Sequence, residues 1–536
     1  MDSKNRFNVI LPIILSIVFV GGVFFGISFF RSFKAEKSSL YILPRTNKIN
    51  TVINYIQSQY VDSVSIDKIN EKAIISLLKE LDPHSAYISA SELQQVTEPL
   101  EGNFSGIGVQ FNMYNDTVII INTIPNGPSA LIGILPGDRI IKVDNVIVAG
   151  VKMSSDEIVK KLKGPKGTKV RVTIFRPSIN KSINYDIIRN TIPLNSIDAY
   201  YMVSPGVGYI RINQFARTTF DEFVRAVNAL HKDGMKKIIL DLRGNGGGYL
   251  DIAINIADQF LDDKKLILYT EGRAKSREDY WATASGICQN DSLVIIIDEF
   301  SASASEILAG SIQDNDRGIL IGRRSFGKGL VQEQIPLSDG SAIRLTVARY
   351  YTPSGRCIQK PYQNGIDEYY NDISKRYVHG EFTNKDSIKF NDTLKYYTNK
   401  GRIVYGGGGI MPDIFVPYDT TQITKFYNDL SASGIIYKFA FSYSDNKRKD
   451  LSKIKDLHEM RKYLQKDKIY DKFIEYLEKN GIKPDKKSLK ISAKLINTYI
   501  EAYICRNFFD SQGFYMIIHE IDNTLKTAVD VIYKMK

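Results

Sequence analysis

Lys237-Ile238-Ile239-Leu240-Asp241-Leu242-Arg243-Gly244-Asn245-Gly246-Gly247-Gly248-Tyr249 is the stretch that decides the fold. Its apolar run, Lys237 to Leu242, reads as a strand of the fully buried type. A glycine loop follows, and Tyr249 to Leu261 then has helical spacing. The same order recurs on both sides. Val207 to Ile212 reads as a strand and Thr219 to Leu230 as an amphipathic helix. Leu293 to Asp298 reads as an apolar strand, and Ala304 to about Ile312 as a helix. Such alternation across residues 191–350 predicts an α/β domain with a mainly parallel central sheet, whose sites lie at the C-terminal ends of the strands.

Residues 98–190 differ in character. Short alternating runs such as Val118-Ile119-Ile120-Ile121 and Val170-Arg171-Val172-Thr173-Ile174 are separated by turn signals such as Pro136-Gly137-Asp138. They predict a small β-rich module with a helix between Ser154 and Leu162. Residues 40–97 read as helical until Leu81-Asp82-Pro83-His84-Ser85 breaks the pattern. Residues 350–420 read as loop-rich, and the Lys-rich chain beyond about 421 as helical. The uncharged stretch Val9 to Phe30 would cross a hydrocarbon core of about 30 Å as a helix. No A-x-A cleavage site follows it, which favours an uncleaved anchor over a removed signal.

The 536 residues carry 71 Lys and Arg against 59 Asp and Glu. This basic excess is spread along the chain as on a solvated surface, with no Arg-rich tract, so no nucleic-acid partner is expected. Three cysteines, Cys288, Cys357 and Cys505, exclude a disulfide framework. Five histidines without an HExxH arrangement give no metal-ligand pattern, and neither a metal nor a cofactor is expected.

Three local patterns in the α/β region could carry chemistry. Ser301-Ala302-Ser303-Ala304-Ser305-Glu306 sits between a strand and a helix, where free helix N–H groups favour an oxyanion. The same letters, Ser303-x-x-Glu306, also spell a capping box. Gly322 to Lys328 nearly spells a phosphate-binding loop, but Gly329 stands where that loop needs a hydroxyl. Leu330 onward, moreover, alternates like a strand rather than opening a helix. On that strand Lys328, Leu330, Gln332 and Gln334 share a face. The glycine loop after Leu242 misses the dinucleotide pattern at Tyr249, yet its amides suit an anion, whether phosphate or a tetrahedral oxyanion. Taken together, the patterns suggest a serine, a lysine made neutral by burial, a glutamine that orients the amine, and an oxyanion held by the Ala304 amide and a glycine amide.

These residues closely resemble the C-terminal processing, or tail-specific, serine protease family. The likeness runs over about residues 45–420. It is carried by Leu81 to Ser85, Ser105-Gly106-Ile107-Gly108-Val109, Leu135 to Asp138, Asp241-Leu242-Arg243 with its glycines, Ser301 to Glu306, Gly327-Lys328-Gly329, Tyr350 to Arg356 and Gly406 to Pro412. The resemblance implies Ser303 as nucleophile, Lys328 as general base, Gln332 as the third polar residue, and an oxyanion hole of Ala304 with Gly246 or Gly247. It implies a crotonase/ClpP-like α/β protease core over 187–420 and a PDZ domain over 98–186. The PDZ domain would hold a free, apolar protein C-terminus through Phe104, Gly106, Ile107, Gly108 and Val109. Around these lie a membrane segment (1–35, inserted through 9–30), a helical region (36–97) and a helical extension (421–536). The expected setting is a bacterial inner membrane crossed once, with the catalytic part in the periplasm and a homo-oligomer allowed. A catalytically silent PDZ scaffold is the competing expectation.

Overall fold

The computed structural model describes Gly22, residues 48–389 and residues 391–535. Apart from Gly22, the proposed membrane segment lies outside the described residues. Among the described residues no helix is long and apolar enough to cross a membrane. The chain divides into two units, 1–77 and 78–536. The described part of the first unit is helical, with Lys48–Gln59 burying none of its residues.

The second unit is built on a six-stranded sheet. Its order is Ile197–Ser204, Val207–Ile212, Lys237–Asp241, Ser292–Ile297, Ile319–Gly322, Ile414–Phe415. The first pair is antiparallel and every later pair parallel. Both faces are covered, which explains why these strands read as unbroken apolar runs. Ile238, Leu240, Leu293 and Ile295 face the helices Thr219–Lys232, Leu250–Asp258 and Ala304–Asp314. Their alternates Ile239, Val294 and Ile296 face Leu525, Ala528 and Ile532 of the last helix, Asn523–Lys534. The C-terminal extension therefore completes the protease core instead of lying beside it.

A second sheet stands next to the first. The hairpin Leu330–Pro336 and Ala342–Tyr351 is its centre, joined by Ala86–Ile88 and Leu266–Glu271. Among the described residues Leu330–Pro336 pairs only with Ala342–Tyr351, which leaves its other edge open. A register shift interrupts the hairpin: Val331 pairs with Ala348 but Gln332 with Thr346. Between 350 and 420 the chain also holds a helix, Ile366–Val378, not foreseen from the sequence. It buries only Tyr369 and Arg376 and leaves Tyr370, Tyr377 and Val378 exposed.

Residues 103–193 form the β-rich module. Its antiparallel sheet has the order Val109–Tyr114, Thr117–Thr123, Arg139–Val143, Lys169–Arg176, Lys181–Ile188, with Val146–Ile147 paired to Arg139–Val143. The helix Ser155–Leu162, capped by Ser154 and Glu157, closes its core. Val109–Tyr114 is an edge strand. Six helices between Lys425 and Ile518, followed by the last helix Asn523–Lys534, form the extension. The extension touches the module through Asp445 with Arg139 (2.7 Å) and Asp510 with Asn122 (3.1 Å).

Candidate active site

Ser303 precedes the helix Ala304–Asp314 with φ +56° and ψ −114°, a sharp bend that a non-glycine residue adopts only when its surroundings fix it. What fixes it is Glu306. This carboxylate is fully buried and joins two loops. Its Oε2 accepts from the Ser303 amide (2.9 Å) and the Lys328 amide (2.8 Å). Its Oε1 accepts from the Gly327 amide (2.7 Å) and Ser325 Oγ (2.5 Å). Burial lifts its pKa to about 7 against the pull of those four donors. Tyr350 adds a second tie. Its hydroxyl lies 2.5 Å from the Lys328 carbonyl and 3.2 Å from that of Ser303. The capping reading of Glu306 thus describes half of its role: the same carboxylate also holds the lysine loop.

Lys328 Nζ donates to Gln332 Oε1 at 3.0 Å. Burial first, then the nearby charge of Arg344, lowers the lysine pKa to about 8, with Glu306 and Asp82 opposing. At pH 7 about a tenth of such a lysine is neutral, and at pH 8 about half. Ser303, Ala304, Lys328, Gln332, Gly246 and Gly247 all line one cleft of about 1080 Å³. Lys328 is followed by a strand, not a helix, so the phosphate-loop reading has no structural counterpart.

Two of the glycine loop's expected roles separate here. A Cβ on Gly247 would stand 2.8 Å from Ser303 Cβ and 3.0 Å from the Ala304 nitrogen, so its backbone abuts the bend. Its amide, however, donates to Asn245 Oδ1 (2.8 Å). Gly246 is exposed in the cleft.

The sequence reading passed over Leu81-Asp82-Pro83-His84-Ser85 as chemistry. Asp82 accepts from the amides of His84 and Ser85 and from Ser85 Oγ. It also accepts from Thr346 Oγ1 (3.1 Å), directly opposite Gln332. His84 bonds Tyr369 Oη (2.9 Å), and burial together with the Lys328 charge lowers its pKa to about 4. This turn therefore backs the strand Ala342–Tyr351, which pairs with the strand that carries Gln332. Its sequence signals are the Asp-Pro-His-Ser break after a helix and its place among the stretches that carry the family resemblance.

In the β-rich module Phe104 lies under Lys163 Nζ (4.6 Å) and against Gly106. Ile107 is buried in the module core, and its carbonyl accepts from Ser129. Gly108 has φ +74°, and Val109 opens the edge strand. Outside any strand, the amides of Ile107 and Gly108 have no backbone partner among the described residues.

With this geometry in hand, comparison with known proteins is informative. Residues 206–370 match peptidase family S41, and residues 95–175 match the PDZ domain. A carboxy-terminal-processing protease of Bartonella bacilliformis is 36% identical over 355 residues, covering 64% of this chain and 80% of the relative. The chain belongs to the carboxy-terminal-processing proteases of peptidase family S41. It is a serine peptidase with a PDZ domain. A probable CtpA-like serine protease of Staphylococcus aureus is 35% identical over 315 residues, covering 58% of this S41 chain and 62% of the relative. Among solved structures, the photosystem II D1 C-terminal processing protease is 25% identical over 69% of this chain and 92% of that one, with a TM-score of 0.35. Residues 426–510 match a family of unknown function, DUF8443, so the extension of this S41 peptidase has relatives without an assigned role.

Proposed function

We propose that the protein cleaves polypeptides by a Ser–Lys mechanism after capturing their free C-termini. The observation that carries this reading is Glu306, which holds the Ser303 bend and the Lys328 loop on one carboxylate beside a common cleft. Neutral Lys328 takes the Ser303 Oγ proton as Oγ adds to the scissile carbonyl, and Gln332 orients the amine. The proton then passes to the leaving amine, and an acyl-enzyme forms on Ser303. Water deprotonated by Lys328 releases the acyl group. The Ala304 amide at the helix N-terminus, with a glycine amide of 246–247, stabilises the oxyanion. Gly247 serves only if its bond to Asn245 is exchanged, which favours Gly246.

In the PDZ domain, the open edge of Val109–Tyr114 accepts the substrate tail as an added strand, and the loop 105–109 receives its carboxylate. The uncharged stretch 9–30 supports a single-pass inner-membrane setting with the catalytic part in the periplasm.

The test is cleavage of an unstructured protein with an apolar C-terminus, free or amidated, by wild type and Ser303→Ala. Cleavage by wild type alone, slowed about tenfold or more by amidation, is the expected result. Cleavage by Ser303→Ala rejects the nucleophile, and equal cleavage of both ends rejects tail capture. A wild type that binds tails without cutting them supports the scaffold reading instead. Gly247→Ala would press a methyl against Ser303 at φ +108°. Its kcat is expected to fall by roughly 10²–10³-fold, because the methyl displaces the Ser303 bend and the adjoining Ala304 amide that serves the oxyanion, with an unchanged circular dichroism spectrum.

A further inference from the structure

Four cationic side chains line the catalytic cleft: Lys275, Arg277, Lys328 and Arg344. Three have partners. Lys275 pairs with Glu333 (2.8 Å), Arg277 pairs with Asp279 (2.8 Å), and Lys328 donates to Gln332. Arg344 is half-buried, and its guanidinium makes no hydrogen bond or ion pair among the described residues. Its position is fixed by register on two sides. It stands opposite Gln334 on the open-edged strand and opposite Ala86 on the other. Cross-strand partners project from the same face, and so do residues two apart. Arg344 therefore shares the face of Gln332, the residue bonded to the catalytic lysine.

Two neighbouring cations repel each other, and partial burial strengthens that repulsion. The Arg344 charge accordingly disfavours the protonated form of Lys328, while the Glu306 and Asp82 charges favour it. A structural arginine in a protein wall normally finds a carboxylate or carbonyls for its five donors. Here the guanidinium is left open to the cleft, and its planar fork matches a carboxylate better than any other group of a polypeptide.

We propose that Arg344 is a substrate-recognition residue that binds a carboxylate of the polypeptide lying in the cleft. That carboxylate comes either from an Asp or Glu side chain near the scissile bond or from the free end of the segment being released. The inference rests on the cleft being the substrate site, as proposed above. It makes Arg344 a source of sequence preference separate from the PDZ domain.

The experiment uses full-chain Ser303→Ala protein and fluorescent peptides in matched sets. Glu is exchanged for Gln at successive positions, and the C-terminus is free or amidated. Binding is measured again with Arg344→Gln and Arg344→Lys added. One carboxylate-bearing peptide is expected to bind about tenfold more tightly than its neutral twin. The advantage should vanish in Arg344→Gln and largely persist in Arg344→Lys. A free-end advantage that survives Arg344→Gln belongs to the PDZ domain and removes the C-terminal source. No Arg344-dependent advantage at any position or end overturns the proposal. Parallel cleavage assays keep the two readings apart. Hydrolysis by the Ser303 protein without Arg344-dependent preference rejects only the carboxylate site. Arg344-dependent binding without hydrolysis keeps that site and rejects the Ser303 chemistry.

Discussion

Lys328→Ala is expected to lower kcat by on the order of 10⁴-fold or more, Ser303→Ala by at least as much, and the double variant no further than the worse single one. Residues that act as one unit are strongly non-additive, because the second loss removes nothing once proton transfer has failed. The pH profile gives the sign. Only neutral Lys328 accepts a proton, so kcat/KM should rise with pH through about 8 and fall as the lysine protonates below it. Arg344→Gln removes a charge that disfavours the protonated lysine, so it should move this limb to higher pH. Steady-state kinetics of the wild type, the two single variants, the double variant and Arg344→Gln checks both statements. Additive losses would mean that Ser303 and Lys328 act separately.

Glu306→Gln should cost nearly as much activity and, unlike the first pair, stability as well. The carboxylate takes four donors, two on each oxygen. An amide has one acceptor, so whichever way it turns its NH2 group faces two donors. Each buried donor left without a partner costs about 1–3 kcal/mol. Ser325 offers limited relief, because its Oγ already accepts from the Ile410 amide (2.6 Å). Protonation of Glu306 presents the same conflict in milder form. Its folded pKa of about 7 lies above the ordinary carboxylate value, so the ionised, four-donor state is reached only as pH rises through 7. Loss of that state adds to the acidic limb set by Lys328. Urea unfolding together with kcat for Glu306→Gln tests this. A fully stable variant that is merely slow would assign Glu306 a role in proton transfer and not in holding the loops.

The parallel sheet was legible because its strands are buried on both faces and its helices carry apolar stripes. Lys237–Asp241 and Val207–Ile212 needed nothing beyond local pattern. Motif order and the strand after Lys328 pointed to Ser303, Lys328 and Gln332, and the structure brings these three to one cleft. What stayed hidden depends on contacts between residues far apart in sequence. Glu306 reads as a cap because its second loop lies about 20 residues away. Asp82 meets Thr346 across 264 residues. Gly247 reads as a free amide, since nothing local shows Asn245 turning back onto it. The last helix reads only as part of a Lys-rich helical extension, and nothing local shows Leu525, Ala528 and Ile532 covering the sheet.

The most direct test of the central claim is mass spectrometry of protein acylated by a slowly turned-over ester. The predicted adduct lies on the peptide carrying Ser303, is absent from Ser303→Ala, and forms at least 100-fold more slowly in Lys328→Ala. An adduct on another residue, or an equal rate without Lys328, would contradict the Ser–Lys account.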